Sequence, residues 1–428
     1  AEYFQEVNST FLKWFLLPII FQGGWTLQKG DVMSQLEYSL LFATLGTAIN
    51  TLVFGFLFYS LDSYLGYGLT FREAMVFAAL ISVVDPLATV SIYCKLDVRR
   101  RQPLMNTLVL GESVINNAVA IIIFDVINSS QDVTVGDCAV RIANLLFVSL
   151  FFGLGMSIIM ISMLRFAQAV SHATAFLVVV YIFLSGYLIF CFAEVLGLSG
   201  VIAALSSGIM FRLYAQPQLP EEGQDMCSHF LEVSASLADR AVFLLCGISA
   251  GLTDSANASR FGLIGLILCF LARAICVFIC SAVSNLAKSM FNDPNMITSK
   301  QQFMMWHGGL KGGISLVLAL EIDGRWCHHK SVIVDATLII ICALLLICGS
   351  TTNVLLEGLG LLGEDAAKAM KLYDTSERPF GRQIRLLTSA SHSALSKALT
   401  GKHAEELHSF SDQEPQICKL AAAYCDAQ

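Results

Sequence analysis

Ionisable side chains in the middle of apolar stretches are the residues of this sequence most suited to chemistry. Asp85 is the first of them, and Pro86 follows it directly. Proline lacks a backbone N–H and clashes with the carbonyl four residues earlier, so carbonyls near 80–82 lose their helical partners. A carboxylate beside freed carbonyls can coordinate a cation, and discontinuous helices at mid-membrane depth are a known device of transporters. The alternative is a plain proline kink in which Asp85 caps the second half of the helix.

The next apolar stretch carries four polar side chains close together, at Glu112, Ser113, Asn116 and Asn117. Residues four apart share a face of a helix. Ser113 and Asn117 therefore lie together, and Glu112 and Asn116 lie on the adjacent face. A single Ser or Asn can act as glue between membrane helices. Four such groups together indicate an ion-binding function.

Two basic residues also lie deep within apolar stretches, at Arg273 and Lys311. A charge at this depth costs at least roughly 2.5–3.5 kcal/mol unless it is paired. Glu112 is the partner for Arg273 that fits best by depth, and we interpret this pair as mainly architectural. Lys311 lies among four glycines in residues 308–313, where it could offset the negative end of a half-helix. The alternative for Lys311 is a packing face of small residues with a lysine that reaches the interface.

These residues need membrane helices to position them. The chain has 428 residues, of which 56% are hydrophobic and 14% are charged, and its mean hydropathy is +0.68. Soluble domains carry roughly 25% charged residues. Many windows of about 20 residues are almost free of charge, which is the length of a spanning helix. The composition therefore predicts an all-α membrane protein. No basic patch suggests nucleic acid, and no spacing of the 13 cysteines suggests disulfides or a metal site.

Eleven candidate spans follow from the apolar windows, and Pro18 could break the first. They lie at about 11–22, 36–61, 72–94, 104–127, 138–164, 173–193, 195–214, 230–253, 262–284, 302–321 and 332–358. After about residue 360 the sequence becomes charged and Ser-rich. We therefore divide the chain into a transmembrane ion-exchange domain at 1–360 and a C-terminal tail at 361–428.

The loops between the spans indicate the orientation. Alternate loops hold nine and three Lys or Arg residues, and the richer set is expected in the cytoplasm. Three glycosylation sequons, at Asn8, Asn128 and Asn257, fall on the opposite side. They predict passage through the secretory pathway, to the plasma membrane or endosomes, and the tail is then cytoplasmic.

Five sequence blocks, in order, resemble the sodium/proton exchanger family of cation/proton antiporters. The blocks are residues 17–21, 84–86, 111–117, 198–203 and 308–312. The resemblance implies a fold of about thirteen helices with inverted repeats, in which two unwound helices cross. Eleven spans fit this fold if its first two helices are missing from this chain. It also implies a homodimer, separate dimer and core domains, pH regulation, and transport by movement of the core.

The resemblance further implies an ion-binding set of Asp85, Val84, Ser113, Asn116 and Asn117. Sodium would bind at Asp85, Ser113 and Asn117, and the transported species would be Na⁺ or Li⁺ and protons. No resident cofactor and no enzymatic activity are expected.

Two positions depart from the family pattern. The family motif ends in Asn-Asp, and that Asp is its exchanging carboxylate, whereas this chain has Asn117. An amide carries no titratable proton. Lys311 stands where the family usually has Arg, so the charge is kept and the planar fork is lost. Asn117 could be a substitution that traps one state, a natural loss of exchange, or a sign that Asp85 titrates alone.

The sequence thus predicts a monovalent cation/proton antiporter that works by alternating access and is weak or inactive as written. A second hypothesis is a membrane sensor or scaffold on the same fold. It would act through residues 364–428, whose amphipathic stretch could bind a cytoplasmic regulatory protein or membrane lipid.

Overall fold

The computed structural model describes residues 2–27, 35–85, 89, 92–93, 95–129, 135–170, 174–219, 221–250, 256–290, 293 and 295–363. All regular elements of this part are helical, as the composition predicted. Of the predicted tail at 361–428, residues 364–428 lie outside the described residues.

Thirteen helices, α1–α13, follow one another along the described chain, and three of them contain a π-helical turn. Their bounds are α1 Glu2–Thr26, α2 Leu36–Leu41 continuing through the π turn Phe42–Gly46 into Thr47–Leu65, α3 Phe71–Ser82, α4 Val98–Arg101, α5 Pro103–Ser129, α6 Val135–Val170, α7 Ala175–Val195, α8 Gly200–Met210 with the π turn Phe211–Ala215, α9 Glu221–Ala250, α10 Ala256–Met290, α11 Ser299–His307, α12 Gly313–Glu321, and α13 Lys330–Leu344 continuing through the π turn Leu345–Gly349 into Ser350–Gly358.

Helices occupy the positions of all the predicted spans. Six of those described are long and apolar enough to cross a membrane, and they correspond to α2, α5, α6, α7, α10 and α13. The break considered at Pro18 is wrong, because α1 runs unbroken through it. Two predicted spans are each divided, at residues 83–85 and 308–312, and these breaks position the site.

The start of α3 shows how local sequence fixes a helix boundary. The Thr70 side chain accepts a hydrogen bond from the Glu73 amide, and the Glu73 carboxylate accepts one from the Thr70 amide in return. This reciprocal arrangement satisfies two of the amide groups that a helix start leaves without partners. Thr298 and Gln301 form the same arrangement at the start of α11. The helices that precede the two breaks, α3 and α11, therefore begin at well-defined residues.

The chain divides into two compact units. The first contains the described residues up to 27 and those of 135–245, and its core includes Phe21, Ile182 and Phe211. The second contains the described residues of 35–129 and 246–363. All the predicted ion-binding residues lie in the second unit.

Within the second unit, α5 is the central helix. Of its most apolar window, 89% is buried inside the protein, compared with 22% for α6. Phe54, Phe58, Phe77 and Phe261 meet edge to face or stacked on one side of this unit. Such aromatic pairs add packing energy beyond the area they bury. Because α5 is so deeply buried, its polar residues face protein on almost every side. A buried polar group is costly unless it is hydrogen-bonded, so these residues need partners within the protein.

Candidate ion-binding site

The first break follows Ser82, the last residue of α3. Val83 has φ −58° and ψ 135°, which is extended rather than helical, and Val84 and Asp85 continue without helical structure. The unwinding expected before Pro86 is therefore present. Pro86 itself and residues 87–88 lie outside the described residues. Asp85 is buried.

The second break lies between α11 and α12. Residues 308–312 are not helical, and the Asp85 amide donates a hydrogen bond of 2.8 Å to the Leu310 carbonyl. This bond joins the two unwound segments, which confirms the predicted crossing. A Cβ built on Gly312 would lie 2.7 Å from the carboxyl carbon of Asp85. Only a residue without a Cβ allows this approach, so the glycine of the motif brings backbone against the carboxylate.

Lys311 lies in the same unwound segment and is 1% exposed. It follows the end of α11 at His307 by four residues. A cation near a helix C-terminus stabilises the carbonyls that lack partners there. The position agrees with the dipole role expected of Lys311. Its depth disfavours the alternative of a side chain that reaches the interface.

Glu112 and Arg273 form a two-pronged ion pair across the unit. Arg273 Nη1 donates to Glu112 Oε1, and Nη2 donates to Oε2 at 3.1 Å. Nη2 also donates to the Met305 carbonyl at 3.1 Å, in the last turns of α11. Both side chains are buried, so neither charge could remain alone without a large cost. The pair ties α5 to α10 and to the first half of the broken helix.

Asn116, one of the ion ligands that the family resemblance implied, makes two hydrogen bonds to the protein. Its Nδ2 donates to the Ser82 carbonyl at 3.0 Å, and its Oδ1 accepts from Thr47 Oγ1 at 2.9 Å. The side chain is thereby fixed at both ends and holds the carbonyl at the end of α3. Ser113 and Asn117 flank it on α5, and both are buried.

The sequence interpretation missed a polar group on α2 that contacts the same place. Thr47, Asn50 and Thr51 are all buried. Asn50 Nδ2 donates to Ser82 Oγ at 2.9 Å, and Thr51 Oγ1 lies 2.9 Å from the same oxygen. The signal was present, because spacings of three and four place these residues on one face of an apolar helix.

Residues that follow the first break also contact the segment of the second break. Thr89 Oγ1 donates to the Gly308 carbonyl at 3.3 Å. Tyr93 is buried nearby, and its hydroxyl would lie 3.7 Å from a Cβ at Gly308. Both unwound segments are therefore held by polar contacts on each side of the crossing.

The structure gives a mixed view of the three sequons. Asn128 Nδ2 donates to the Glu321 carbonyl at 3.4 Å, and Asn128 Oδ1 accepts from the Asp323 amide at 3.3 Å. A glycan on Nδ2 would compete with the first bond. The side chains of Asn8 and Asn257 lie outside the described residues. Glycosylation stays a prediction.

Within the described residues, no group of three or more His, Cys, Asp or Glu side chains is arranged to hold a metal ion. A sodium ion at this crossing would be a transported substrate. One carboxylate with neutral oxygens suits it, because hard cations prefer oxygen ligands.

Comparison with known proteins decides the family. The family model "Sodium/hydrogen exchanger, transmembrane" matches residues 5–358. Sodium/hydrogen exchanger 5 of Arabidopsis thaliana is 30% identical over 378 residues, which cover 86% of this chain and 71% of that relative. The chain belongs to the sodium/hydrogen exchanger family. The resemblance seen in the five sequence blocks is thereby confirmed.

Other relatives agree. Human sodium/hydrogen exchanger 8 is 31% identical over 374 residues, covering 84% of this chain and 62% of the human protein. The chain therefore spans less than two thirds of that relative's length. The solved sodium proton antiporter MjNhaP1 of Methanocaldococcus jannaschii matches with a TM-score of 0.64 at 17% identity, covering 84% of this chain and 87% of that one. This likeness shows the fold of that antiporter. The family match and the six long apolar helices show an integral, multi-pass membrane protein.

Proposed function

We propose that this chain exchanges a monovalent cation, Na⁺ or Li⁺, for protons across a membrane, with the Asp85 carboxylate as the exchanging group. The observation that carries the proposal is the crossing at Asp85. The Leu310 carbonyl accepts from the Asp85 amide, and Gly312 lets backbone approach the carboxylate. A buried carboxylate between two discontinuous helices is a site for a small cation.

Competition for one carboxylate couples the two flows. The site holds either a cation or a proton, and alternating access delivers each to the opposite side of the membrane. A single carboxylate favours electroneutral one-for-one exchange. Ser113 and Asn117 supply neutral oxygens, and the Val84 backbone adds to the site. Transport of this kind needs no resident cofactor and no enzymatic step.

Asn117 sets the expected rate. Its amide neither titrates nor carries charge, so Asp85 alone must hold the proton in this chain. We therefore expect weak or absent exchange as written. The three explanations of Asn117 make different predictions, because a trapped or lost exchanger gains flux from a carboxylate at this position, whereas an exchanger in which Asp85 alone gives full flux does not.

The test is pH-driven sodium or lithium flux in proteoliposomes. Asn117→Asp is expected to raise the flux several-fold, and Asp85→Asn is expected to abolish it in both backgrounds. Full flux as written with no gain from Asn117→Asp would contradict the place of residue 117 in the site. Flux that survives Asp85→Asn would contradict the role of that carboxylate.

The proposal extends to the cellular setting. We place the chain in the plasma membrane or endosomes as a glycosylated homodimer that contributes to pH regulation. The excess of Lys and Arg in alternate loops supports a cytoplasmic C-terminus. Protease accessibility of a C-terminal epitope in sealed vesicles tests the orientation. Crosslinking in native membranes tests the dimer.

A second candidate is a sensor or scaffold that acts through the tail, and one contact favours it. Arg101 Nη1 donates to the Leu362 carbonyl, and Gln102 Nε2 donates to the Leu361 carbonyl at 3.1 Å. Gln301 Nε2, in the first turn of α11, donates to Gln102 Oε1 at 2.9 Å. The root of the tail is thus bonded to the junction of α4 and α5 and, through Gln102, to the first half of the second broken helix. Deleting 364–428 while measuring flux and binding of cytoplasmic proteins separates the two functions.

A further inference from the structure

Three residues of α2, Thr47, Asn50 and Thr51, have no part in the exchange described above. All three are buried, in a helix whose most apolar window has a mean hydropathy of 1.8. Burying a hydroxyl or an amide is unfavourable unless hydrogen bonds compensate. Their contacts therefore show what the fold gains from them.

Asn50 and Thr51 hold the side chain of the last residue of α3. Ser82 Oγ donates to the Ala78 carbonyl at 2.8 Å. A hydroxyl has one proton, so Ser82 Oγ must accept from Asn50 Nδ2 and from Thr51 Oγ1, both at 2.9 Å. The hydroxyl thus makes three bonds, and two come from α2. Ser82 cannot change its rotamer without losing both.

Thr47 holds the backbone of the same residue through Asn116. Because Asn116 Nδ2 donates to the Ser82 carbonyl, its Oδ1 faces Thr47 Oγ1 at 2.9 Å. Thr47 Oγ1 shares its one proton between Asn116 Oδ1 and the Ala43 carbonyl, which lies at 2.6 Å. Thr47 therefore supports the orientation of the Asn116 amide that the Ser82 carbonyl selects. Thr47 comes directly after the π-helical turn Phe42–Gly46. A π turn contains one extra residue and changes which face the following helix presents, and such turns are frequent at functional sites.

Together these contacts fix the carbonyl and the side chain of Ser82, three residues before Asp85. The helix has ended there, so the Ser82 carbonyl has no helical partner to position it.

We propose that Thr47, Asn50 and Thr51 are positioning residues for cation binding. They hold the end of α3 so that the segment Val83–Asp85 keeps the carboxylate at the crossing. The inference rests on the proposed exchange at Asp85 and adds α2 as the element that sets its affinity. Each bond lost from the cluster lets the Asp85 carboxylate occupy more positions, and fewer of them bind the cation.

The experiment compares hydroxyl deletions on one helix, each made in the full chain and in its Asn117→Asp form. Thr51→Val removes a bond to Ser82, and Thr51→Ser keeps the hydroxyl. Thr44→Val is the matched control, since within the described part of the chain Thr44 Oγ1 bonds only to the Leu40 carbonyl of its own helix, at 2.7 Å. The readouts are the apparent KM for sodium per folded protein and the rise in Tm that lithium or sodium produces.

Thr51→Val is expected to raise the apparent KM about two- to tenfold, as the loss of one net hydrogen bond would, and to reduce the cation-induced rise in Tm. The maximal flux should change less than the apparent KM. Thr51→Ser should restore the parent values, and Thr44→Val should leave them unchanged. Asn50→Leu, which removes a second bond to the same oxygen, should act in the same direction if Thr51→Val fails to fold.

Two outcomes overturn the inference separately from the proposed function. If Thr51→Val lowers the Tm but leaves the apparent KM equal to that of Thr44→Val, the cluster is only glue between helices and the positioning role is wrong. If neither the parent nor Asn117→Asp shows any flux or any cation-induced change in Tm, the exchange itself is wrong, and the positioning role falls with it.

Discussion

Gly312→Ala tests whether the Asp85 carboxylate lies at the crossing. A Cβ at this position would lie 2.7 Å from the carboxyl carbon of Asp85 and 2.8 Å from its Cβ. Carbon atoms that are not bonded lie about 3.5–4.0 Å apart, so the two segments must separate by about 1 Å. The 2.8 Å bond from the Asp85 amide to the Leu310 carbonyl resists this movement. The carboxylate is therefore displaced, or the bond breaks.

We expect a large functional effect with a smaller effect on stability. A misplacement of about 1 Å at a reacting site can cost on the order of 100-fold in rate, whereas overpacking costs about 1–3 kcal/mol. The assay is sodium/proton exchange per folded protein in the Asn117→Asp background, together with the lithium-induced rise in Tm. Gly349→Ala is the control, because a Cβ there meets open space among the described residues.

Gly312→Ala should remove most of the exchange and the lithium effect while the protein still folds, and Gly349→Ala should behave as its parent. If Gly312→Ala exchanges and binds lithium like its parent, the backbone of the second broken helix does not approach the exchanging carboxylate. The assignment of Asp85 would then have to be abandoned.

Three further predictions follow from individual contacts. Asn117→Asp should bind lithium more tightly than the parent, since it adds a second carboxylate to the turn that holds Ser113. The measurement is a larger lithium-induced rise in Tm. An unchanged rise would place residue 117 outside the site. Glu112→Ala should lower the free energy of unfolding by about 3–5 kcal/mol, because Arg273 is left buried and unpaired. Thermal unfolding measures this change. A loss of less than about 1 kcal/mol, which is the value of an ion pair exposed on the surface, would show that solvent reaches the arginine. Burial, with a contribution from a neighbouring carboxylate, raises the pKa of Cys327 in the loop before α13 to about 12. Its thiol should therefore react with maleimide at pH 8 more slowly than the thiol of the half-buried Cys138. Equal rates in timed labelling would contradict the burial of Cys327.

Several features of the fold could be predicted from the sequence because they depend on local chemistry. Long uncharged windows require helices in a bilayer, and Pro86 removes a backbone donor where α3 ends. The glycines at 308–313 weaken the second broken helix for another local reason, because glycine loses more conformational freedom on folding than other residues. Glu112 and Arg273 could be matched because a membrane leaves few partners for a buried charge. Pro18 shows the limit of such local reasoning, since α1 continues through this proline without a break.

The roles within the site needed the tertiary structure. Asn116 and Asn117 are chemically identical and adjacent, and only the packing of α2 and α3 against α5 directs Asn116 to Thr47 and Ser82. Similarly, nothing local to residues 47–51 indicates that they meet the end of α3.

The amino-acid sequence by itself determined the membrane class, the family, the two broken helices and the amide at residue 117. These features follow from composition and from residues that are close together in the chain. The bilayer and the backbone impose the same hydrogen-bonding and steric limits on such residues in any fold. Only the tertiary structure decided that the Asp85 amide bonds to Leu310, more than two hundred positions away in the sequence. It also decided that Asn116 holds a backbone carbonyl. A hydrogen bond depends on distances of tenths of an ångström between atoms from separate helices, and residue types alone do not specify these distances.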